Sequence, residues 1–513
     1  LVTNKLGVLA LCLVISGCVV NPVTGEREVG FVSQAQEVSI GQEQYAPAQQ
    51  MQGGRYQTDP QLSAYVNEVG QKMARTSGRD LPYEFVVLNN SVPNAWALPG
   101  GKIAINRGLL TELRNEAELA AVLGHEVAHA AARHGAKRME RSVLTQGVML
   151  AAAIGTGGRE YAAEALGAAQ FAAGFLNQKY SRDAEREADY YGMQFMVDAG
   201  YDPHGAVTLQ ETFVRLSGEK ETSWMEGLFA SHPPSAERVS NNRRRAQELR
   251  EAGYKNLELG GPAFASAMSD VREAAPAYAA YDAALALYQE KNLDGALAEV
   301  NKALQLEDRE ALFHGLRGAI RGKQKRYQDA VTNFDRAIDR DAGYFVYYLH
   351  RGLAYAAVNQ RDQAKQDLDR SIRLLPTAPA YQALGQIAEA EGNAEAAKRY
   401  YAQAGQGQGE TSQAARASLV RLDLPSQPAK YIAARAGRDE RRRWVLEVEN
   451  RSDVAIEDVQ LQVEITTAAG VRTMQVSLPT LGPSESRLSL LQLDPVKVTN
   501  ARAYAVSARV AER

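Results

Sequence analysis

The chain has 513 residues, 45% of them apolar and 23% charged. That is the texture of a soluble globular protein too long for one ordinary domain, and length alone suggests about three or four. The formal net charge of −3 gives no sign of a nucleic-acid partner. Both cysteines, Cys12 and Cys18, lie at the extreme N-terminus, which excludes a disulfide framework or a cysteine-rich metal site for everything that follows.

The N-terminus reads as a targeting segment. Lys5 supplies a positive start and residues 6–15 an apolar run, too short to span a bilayer, for which roughly 20 residues are needed. Ile15-Ser16-Gly17-Cys18 follows at once. Small residues before a cysteine resemble the lipobox of bacterial lipoproteins, which implies removal of 1–17 and lipidation of Cys18. The competing reading is a plain secretory signal. Val19, rather than an aspartate, follows the cysteine, and by the usual bacterial sorting pattern this favours the outer membrane.

Helical periodicity is expected over 34–73. A strand is expected over 83–88, then the turn-rich stretch 89–94, then a second strand over 102–106 after Pro99-Gly100-Gly101. Long helices are expected over 116–139, 142–154, 161–176 and 181–199. The Ala/Gly-rich stretch 147–174 is interrupted at 155–160, so neither half can cross a membrane. A closely packed helix pair is the expectation there, with membrane contact as the alternative.

Gly260-Gly261-Pro262 marks a boundary, and beyond it the chain repeats. Ala296, Ala330 and Ala364 recur every 34 residues, each followed four residues later by Val300, Phe334 or Leu368. Small residues return at Ala303, Ala337 and Ser371, glycines at Gly318, Gly352 and Gly385, and a further unit has Ala397, Tyr401 and Ala404. This is the tetratricopeptide pattern, in which small residues let paired helices approach closely. Such a stack either holds a protein partner in its concave face or acts as a spacer. From Arg443 onward apolar and polar residues alternate between turn signals, as expected of a small antiparallel β-sandwich.

The chemistry lies in Gly124-His125-Glu126-Val127-Ala128-His129. Residues four apart share a helical face, so His125 and His129 can reach one Zn²⁺, and Glu126 is placed to take a proton from water. A catalytic zinc needs a third protein ligand and an open position. His134 is set aside as that ligand, because nine residues at about 100° each put it on the face opposite His125. Glu185 and Asp189 lie four apart on an expected helix. Glu185 can therefore bind the ion while Asp189 orients a ligand histidine through its other nitrogen. Glu187 falls on a different face and reads as solvated surface. His232, before Pro233-Pro234-Ser235, has three open readings: a packed histidine in a turn, an oxyanion donor, or a latch in the open metal position.

Gly-His-Glu-Val-Ala-His and Tyr-Ser-Arg-Asp-Ala-Glu-Arg-Glu-Ala-Asp, with Asn94–Gly101 and Ser231-His232-Pro233-Pro234-Ser235, resemble motifs of a membrane-associated zinc metallopeptidase family. That family includes the HtpX heat-shock proteases and the CAAX prenyl endopeptidases. The resemblance covers roughly 32–249. With tetratricopeptide repeats and no transmembrane helices, the chain is similar to the soluble periplasmic BepA-like branch. The implied chain is multidomain: a leader (1–17), a mostly α, gluzincin-like zinc metallopeptidase with a small β-sheet (18–262), an α-helical tetratricopeptide solenoid (270–410) and a small β-sandwich (428–513). The implied function is a zinc-dependent endopeptidase with one Zn²⁺, anchored by lipid in the periplasm. It would act on misfolded envelope proteins, in quality control or assembly of outer-membrane proteins, with a protein partner on its repeats.

Overall fold

The computed structural model describes residues 18–146, 179–219, 232–494 and 496–511. The leader and the helix pair expected over 147–174 lie outside them. The chain divides into two compact units, Leu1–Ala354 and Tyr355–Arg513.

The first unit opens with a hairpin of β1 (Cys18–Val20) and β2 (Arg27–Val29). Helix α1 (Gln34–Met51) starts where Ser33 and Gln36 cap each other's backbone, and α2 (Pro60–Thr76) starts with the Asp59 side chain on Leu62 N–H and proline in the first turn. The sequence suggests one helical stretch over 34–73. The break between α1 and α2 falls at Gly53 and Gly54, both with positive φ, which ends a helix readily.

A three-stranded sheet follows: β3 (Glu84–Leu88), β4 (Ala95–Leu98) and β5 (Lys102–Asn106), in the order β3-β5-β4. β3 and β5 are parallel, and β4 pairs antiparallel with β5 and forms the edge. By the family resemblance Asn94 to Ala97 would flank the cleft and pair with an extended substrate backbone, with a structural loop as the alternative. Ala95–Leu98 is instead a fully buried strand, so its apolar run lacks the alternation that marks a half-exposed one.

Helices α3 (Glu116–Ala131), α4 (His134–Gln146), α5 (Arg182–Asp198), α6 (His204–Glu219) and α7 (Ala236–Glu251) complete the peptidase region. α3 packs against α2, α5 and α6 and is buried almost all round, as its Ala-rich, nearly unpatterned sequence allows. The approach of α3 to α5 depends on two glycines. A Cβ on Gly192 would lie 3.0 Å from His125 N, and one on Gly124 would lie 3.1 Å from Gly192 O.

Repeat helices α8 (Ala275–Gln289), α9 (Leu293–Leu306), α10 (Ala311–Lys323), α11 (Tyr327–Arg340) and α12 (Phe345–Ala357) follow. The repeat signature is their core: Ala296, Val300, Ala303, Ala330, Phe334 and Ala337 are all buried. The repeats join the peptidase region through Glu310, only 1% exposed. Its carboxylate accepts hydrogen bonds from Thr58 Oγ1 (2.7 Å) and Asn89 Nδ2 (2.9 Å), and one from the Tyr278 hydroxyl. The Arg107 guanidinium lies 3.3 Å over the Tyr278 ring. None of the described helices is long and apolar enough to cross a membrane.

In the second unit the repeat pattern continues through α13 (Arg361–Leu374), α14 (Ala378–Ala390) and α15 (Ala394–Ala404), capped by α16 (Glu410–Asp423). Two three-stranded antiparallel sheets follow. One has the order β10-β7-β6 and the other β11-β8-β9, from β6 (Ile432–Arg438), β7 (Trp444–Asn450), β8 (Ile456–Thr467), β9 (Gly470–Leu481), β10 (Ser486–Leu490) and β11 (Val498–Val510). Trp444, Leu446, Val448, Val459, Leu461 and Val463 line the shared core, and Val420 and Leu424 reach into it from α16 and the residue after it. The expected alternation starts at Arg443, but the β-structure begins eleven residues earlier, at Ile432. β6, Ile-Ala-Ala-Arg-Ala-Gly-Arg, carries only alanine, glycine and arginine after its first residue and so lacks a strand's texture.

Candidate metal centre

α3 presents His125 and His129 on one face, one turn apart. Its first turn is fixed by the Asn115 side chain, which accepts from Glu118 N. α5 crosses at the Gly124–Gly192 contact and brings Glu185 and Asp189 to the same place. Its N-terminus is capped by Ser181 on Ala184 N. His232 arrives from the stretch before α7, whose N-cap is Ser235.

Ligand atoms of His125, His129, Glu185 and His232 all lie within 4.8 Å of one another. His125 Nε2 and His129 Nε2 are 3.0 Å apart, and His129 Nε2 is 3.3 Å from Glu185 Oε1. His125 Nε2 is 3.6 Å from Glu185 Oε2. Donor atoms about 2.05 Å from a tetrahedral ion stand about 3.3 Å apart, so these spacings suit zinc. The other ring nitrogens are engaged: His125 Nδ1 is 3.0 Å from Asp189 Oδ1, and His129 Nδ1 is 2.7 Å from His134 Nδ1. Each ring is thereby turned with Nε2 toward the centre. Burial holds the His129 imidazole well below the ordinary histidine value, which keeps it in the neutral form that ligates metal.

His232 points Nδ1 into the set, 3.3 Å from His125 Nε2 and 2.9 Å from Glu185 Oε1. Its Nε2 lies 3.6 Å from Glu126 Oε1. Glu126 is 2% exposed, and its Oε2 has no hydrogen-bond partner. Burial raises its pKa, against the pull of His232 and His125. A carboxylate with one idle oxygen beside a ligand set is poised to exchange protons with a small reactant.

Sequence reasoning missed two residues. Arg238 holds Asp189 with two hydrogen bonds of 2.7 Å and reaches Glu185 Oε2 at 2.9 Å. Burial raises the Asp189 pKa, but Arg238 more than offsets this and keeps it below the usual carboxylate range. The available signal was its position three residues into the helix that Ser235 opens. Tyr180 stacks on His129 with ring centroids 3.9 Å apart, and its hydroxyl donates to Ala97 O at 3.4 Å; it begins the Tyr-Ser-Arg-Asp motif. His134 is a correction. The helix does not continue through it, so it sits beside His129 and does not face away. Glu187 is a second correction, since its side chain is 23% exposed and accepts from Asn21 Nδ2 at 2.9 Å. Beside Glu126, a small cavity of about 40 Å³ is lined in part by Leu109, Val122, Leu209 and Phe213.

A His-Glu-x-x-His helix, with a glutamate brought to it by a second helix and an aspartate behind the first histidine, has the layout of a gluzincin-type metallopeptidase site. Residues 60–246 match the family model described as Peptidase family M48, and residues 378–404 match a tetratricopeptide repeat. The chain is 33% identical over 178 residues to the metalloprotease YcaL of Escherichia coli K12, covering 34% of this chain and 67% of that protein. It is 33% identical over 224 residues to the mitochondrial metalloendopeptidase OMA1 of Schizosaccharomyces pombe, covering 42% of this chain and 63% of that protein. It is 25% identical over 349 residues to the beta-barrel assembly-enhancing protease of Yersinia pestis, covering 63% of this chain and 71% of that protein. The chain belongs to peptidase family M48. It spans less than two thirds of the length of the first curated relatives it matches, OMA1 of S. pombe among them.

Proposed function

We propose that this chain is a zinc-dependent endopeptidase of the bacterial cell envelope. The observation that carries the reading is the convergence of His125 Nε2, His129 Nε2 and a Glu185 oxygen on one point, with the idle Glu126 carboxylate beside it. His125, His129 and Glu185 would hold one Zn²⁺. Bound there, zinc supplies Lewis acidity, polarising the scissile carbonyl and acidifying water. Glu126 takes a proton from the attacking water and delivers it to the leaving amine nitrogen. Asp189, fixed by Arg238, holds the His125 ring in place through Nδ1. The edge strand β4 offers backbone groups for pairing with an extended substrate, and the cavity lined by Leu109, Val122, Leu209 and Phe213 accepts a small apolar substrate side chain.

His232 is assigned as the fourth ligand of a resting state, since Nδ1 faces the ligand set. Its release opens the site. His232→Ala should therefore raise basal or self-cleavage and leave zinc bound; lowered turnover would restore the donor role, and unchanged kinetics would leave only a packing role. The relatives named as beta-barrel assembly-enhancing proteases point to misfolded envelope proteins as substrates, in the assembly or quality control of outer-membrane proteins. The tetratricopeptide helices would hold a protein partner. Cys18 is read as the lipid anchor of a periplasmic protein, more fittingly at the outer than the inner membrane, and Cys18→Ala should move the protein from the membrane to the soluble fraction.

Metal analysis with a casein cleavage assay on the wild type and Glu126→Gln tests the central reading. The variant should keep one zinc per chain and lose cleavage by several orders of magnitude. Full activity in a folded, zinc-loaded Glu126→Gln chain would sink it.

A further inference from the structure

Helix α3 ends abruptly two residues after His129. Ala132 closes it, and Arg133 adopts φ +62° before α4 begins at His134. A non-glycine residue in the left-handed region costs of order 1 kcal/mol and persists only where the surroundings enforce it. Here they do. Arg133 is 3% exposed. Its Nε donates to Glu37 Oε1 (2.6 Å), its guanidinium also reaches Val32 O, and Glu140 lies 3.5 Å away. Arg79 holds the same Glu37 carboxylate with two bonds of 3.0 Å.

The break has a geometric consequence at the metal centre. On an unbroken helix, five residues at about 100° each would turn His134 roughly 140° away from His129. With the break, the two rings meet edge to face, centroids 4.9 Å apart, and their Nδ1 atoms are 2.7 Å apart. His129 must offer Nε2 to the metal, so its Nδ1 carries the proton and donates to the lone pair on His134 Nδ1. His134 is then protonated on Nε2, which faces Glu187 Oε1 at 3.5 Å. Glu187 is held in turn by Asn21 Nδ2 at 2.9 Å. His125 uses a carboxylate, Asp189, in the corresponding place.

We propose that His134, backed by Glu187 and Asn21, is a positioning residue that fixes the tautomer and orientation of the metal ligand His129. The inference rests on the zinc reading above. The outer partners of ligating histidines typically account for 10–100-fold in metal affinity.

The test measures zinc affinity of the full chain by competition with a chelator, together with the visible d–d spectrum of the Co²⁺-substituted protein. His134→Ala should weaken zinc binding 10–100-fold and shift the Co²⁺ bands, with the far-ultraviolet circular dichroism unchanged. His134→Gln, whose side-chain oxygen can accept from His129 Nδ1, should recover most of the affinity. Glu187→Gln should lose less than His134→Ala. Wild-type affinity and an unaltered Co²⁺ spectrum in His134→Ala would overturn the proposal. So would His134→Gln binding as weakly as His134→Ala, since the ring would then serve packing alone. If His134→Ala fails to fold, the glutamine variant decides by itself. Failure of the zinc reading is separate and visible in the wild type, which would then bind no stoichiometric zinc.

Discussion

Two helix pairs in the first unit, α3 with α5 and α10 with α11, both depend on glycine, and they use it differently. Between α10 and α11 the missing side chain of Gly318 makes room for a ring: a Cβ there would lie 3.0 Å from Phe334 Cε1 and Cζ. Between α3 and α5 the glycines let backbone meet backbone, Gly192 against His125 N and Gly124 against Gly192 O. A ring can give way by rotating or shifting, whereas a peptide group in a helix cannot. The repeat pair is therefore a packing solution with some tolerance. The peptidase pair sets the distance between the proposed metal ligands of α3 and the one proposed on α5, where a few tenths of an ångström decide whether three donors still meet.

The largest effect expected in the peptidase pair without touching a ligand comes from Glu37. Its carboxylate compensates two buried arginines, Arg79 and Arg133. Glu37→Ala should cost about 3–5 kcal/mol of stability, read as a drop in the denaturant midpoint. It should weaken zinc binding as well, because Arg133 sets the turn that delivers His134. A loss under 1 kcal/mol would show that the two buried guanidiniums do not depend on this carboxylate.

Asp189→Ala should reduce zinc affinity about 10–100-fold, and Glu185→Ala by more, because of the two only Glu185 is proposed as a ligand. If Glu185→Ala holds zinc normally and Glu187→Ala does not, the ligand is misassigned.

The glycine contrast itself is tested by a pair of substitutions. Gly318→Ala should cost about 1–3 kcal/mol of repeat stability and leave zinc affinity at the wild-type value. Gly192→Ala should lower zinc affinity more than it lowers the thermal midpoint. Equal behaviour of the two variants in both measurements would mean that both pairs are ordinary packing.

The smallest effect separates the repeats by acid. Burial pushes His314 and His350 down to about 4, below the ordinary value near 6.5 of the unfolded chain. The unfolded chain binds the extra protons, so stability is fully present above about pH 6.5 and is lost as pH falls toward 4. The thermal midpoint of the repeats should decline across that window, and less steeply in His314→Gln. A midpoint independent of pH between 7 and 4.5 would contradict the burial of these rings.

How much was legible in the sequence follows from the range of each interaction. The repeats were readable because their contacts recur at a fixed spacing, so Ala296, Ala330 and Ala364 announce the helix packing they make. β7 to β11 were readable from alternation, and β6 was not, because alanine and glycine bury too little to mark a face. The pairs His125/His129 and Glu185/Asp189 were readable because four residues on a helix is a local rule.

What the sequence determined by itself, then, was every element whose geometry is set within one helix turn or one repeat. That covers the helix of His125 and His129, the helix α5 and the solenoid. Only the tertiary structure decided the edge strand β4, the stacking of Tyr180, the grip of Arg238 on Asp189 and the place of His134. Each depends on residues distant in sequence and buried with their charge or polarity matched. The turn at Arg133 shows the reason most directly. Its own sequence, Ala-Ala-Arg-His, favours continuing the helix, and the bond that overrules it comes from Glu37, 96 residues earlier.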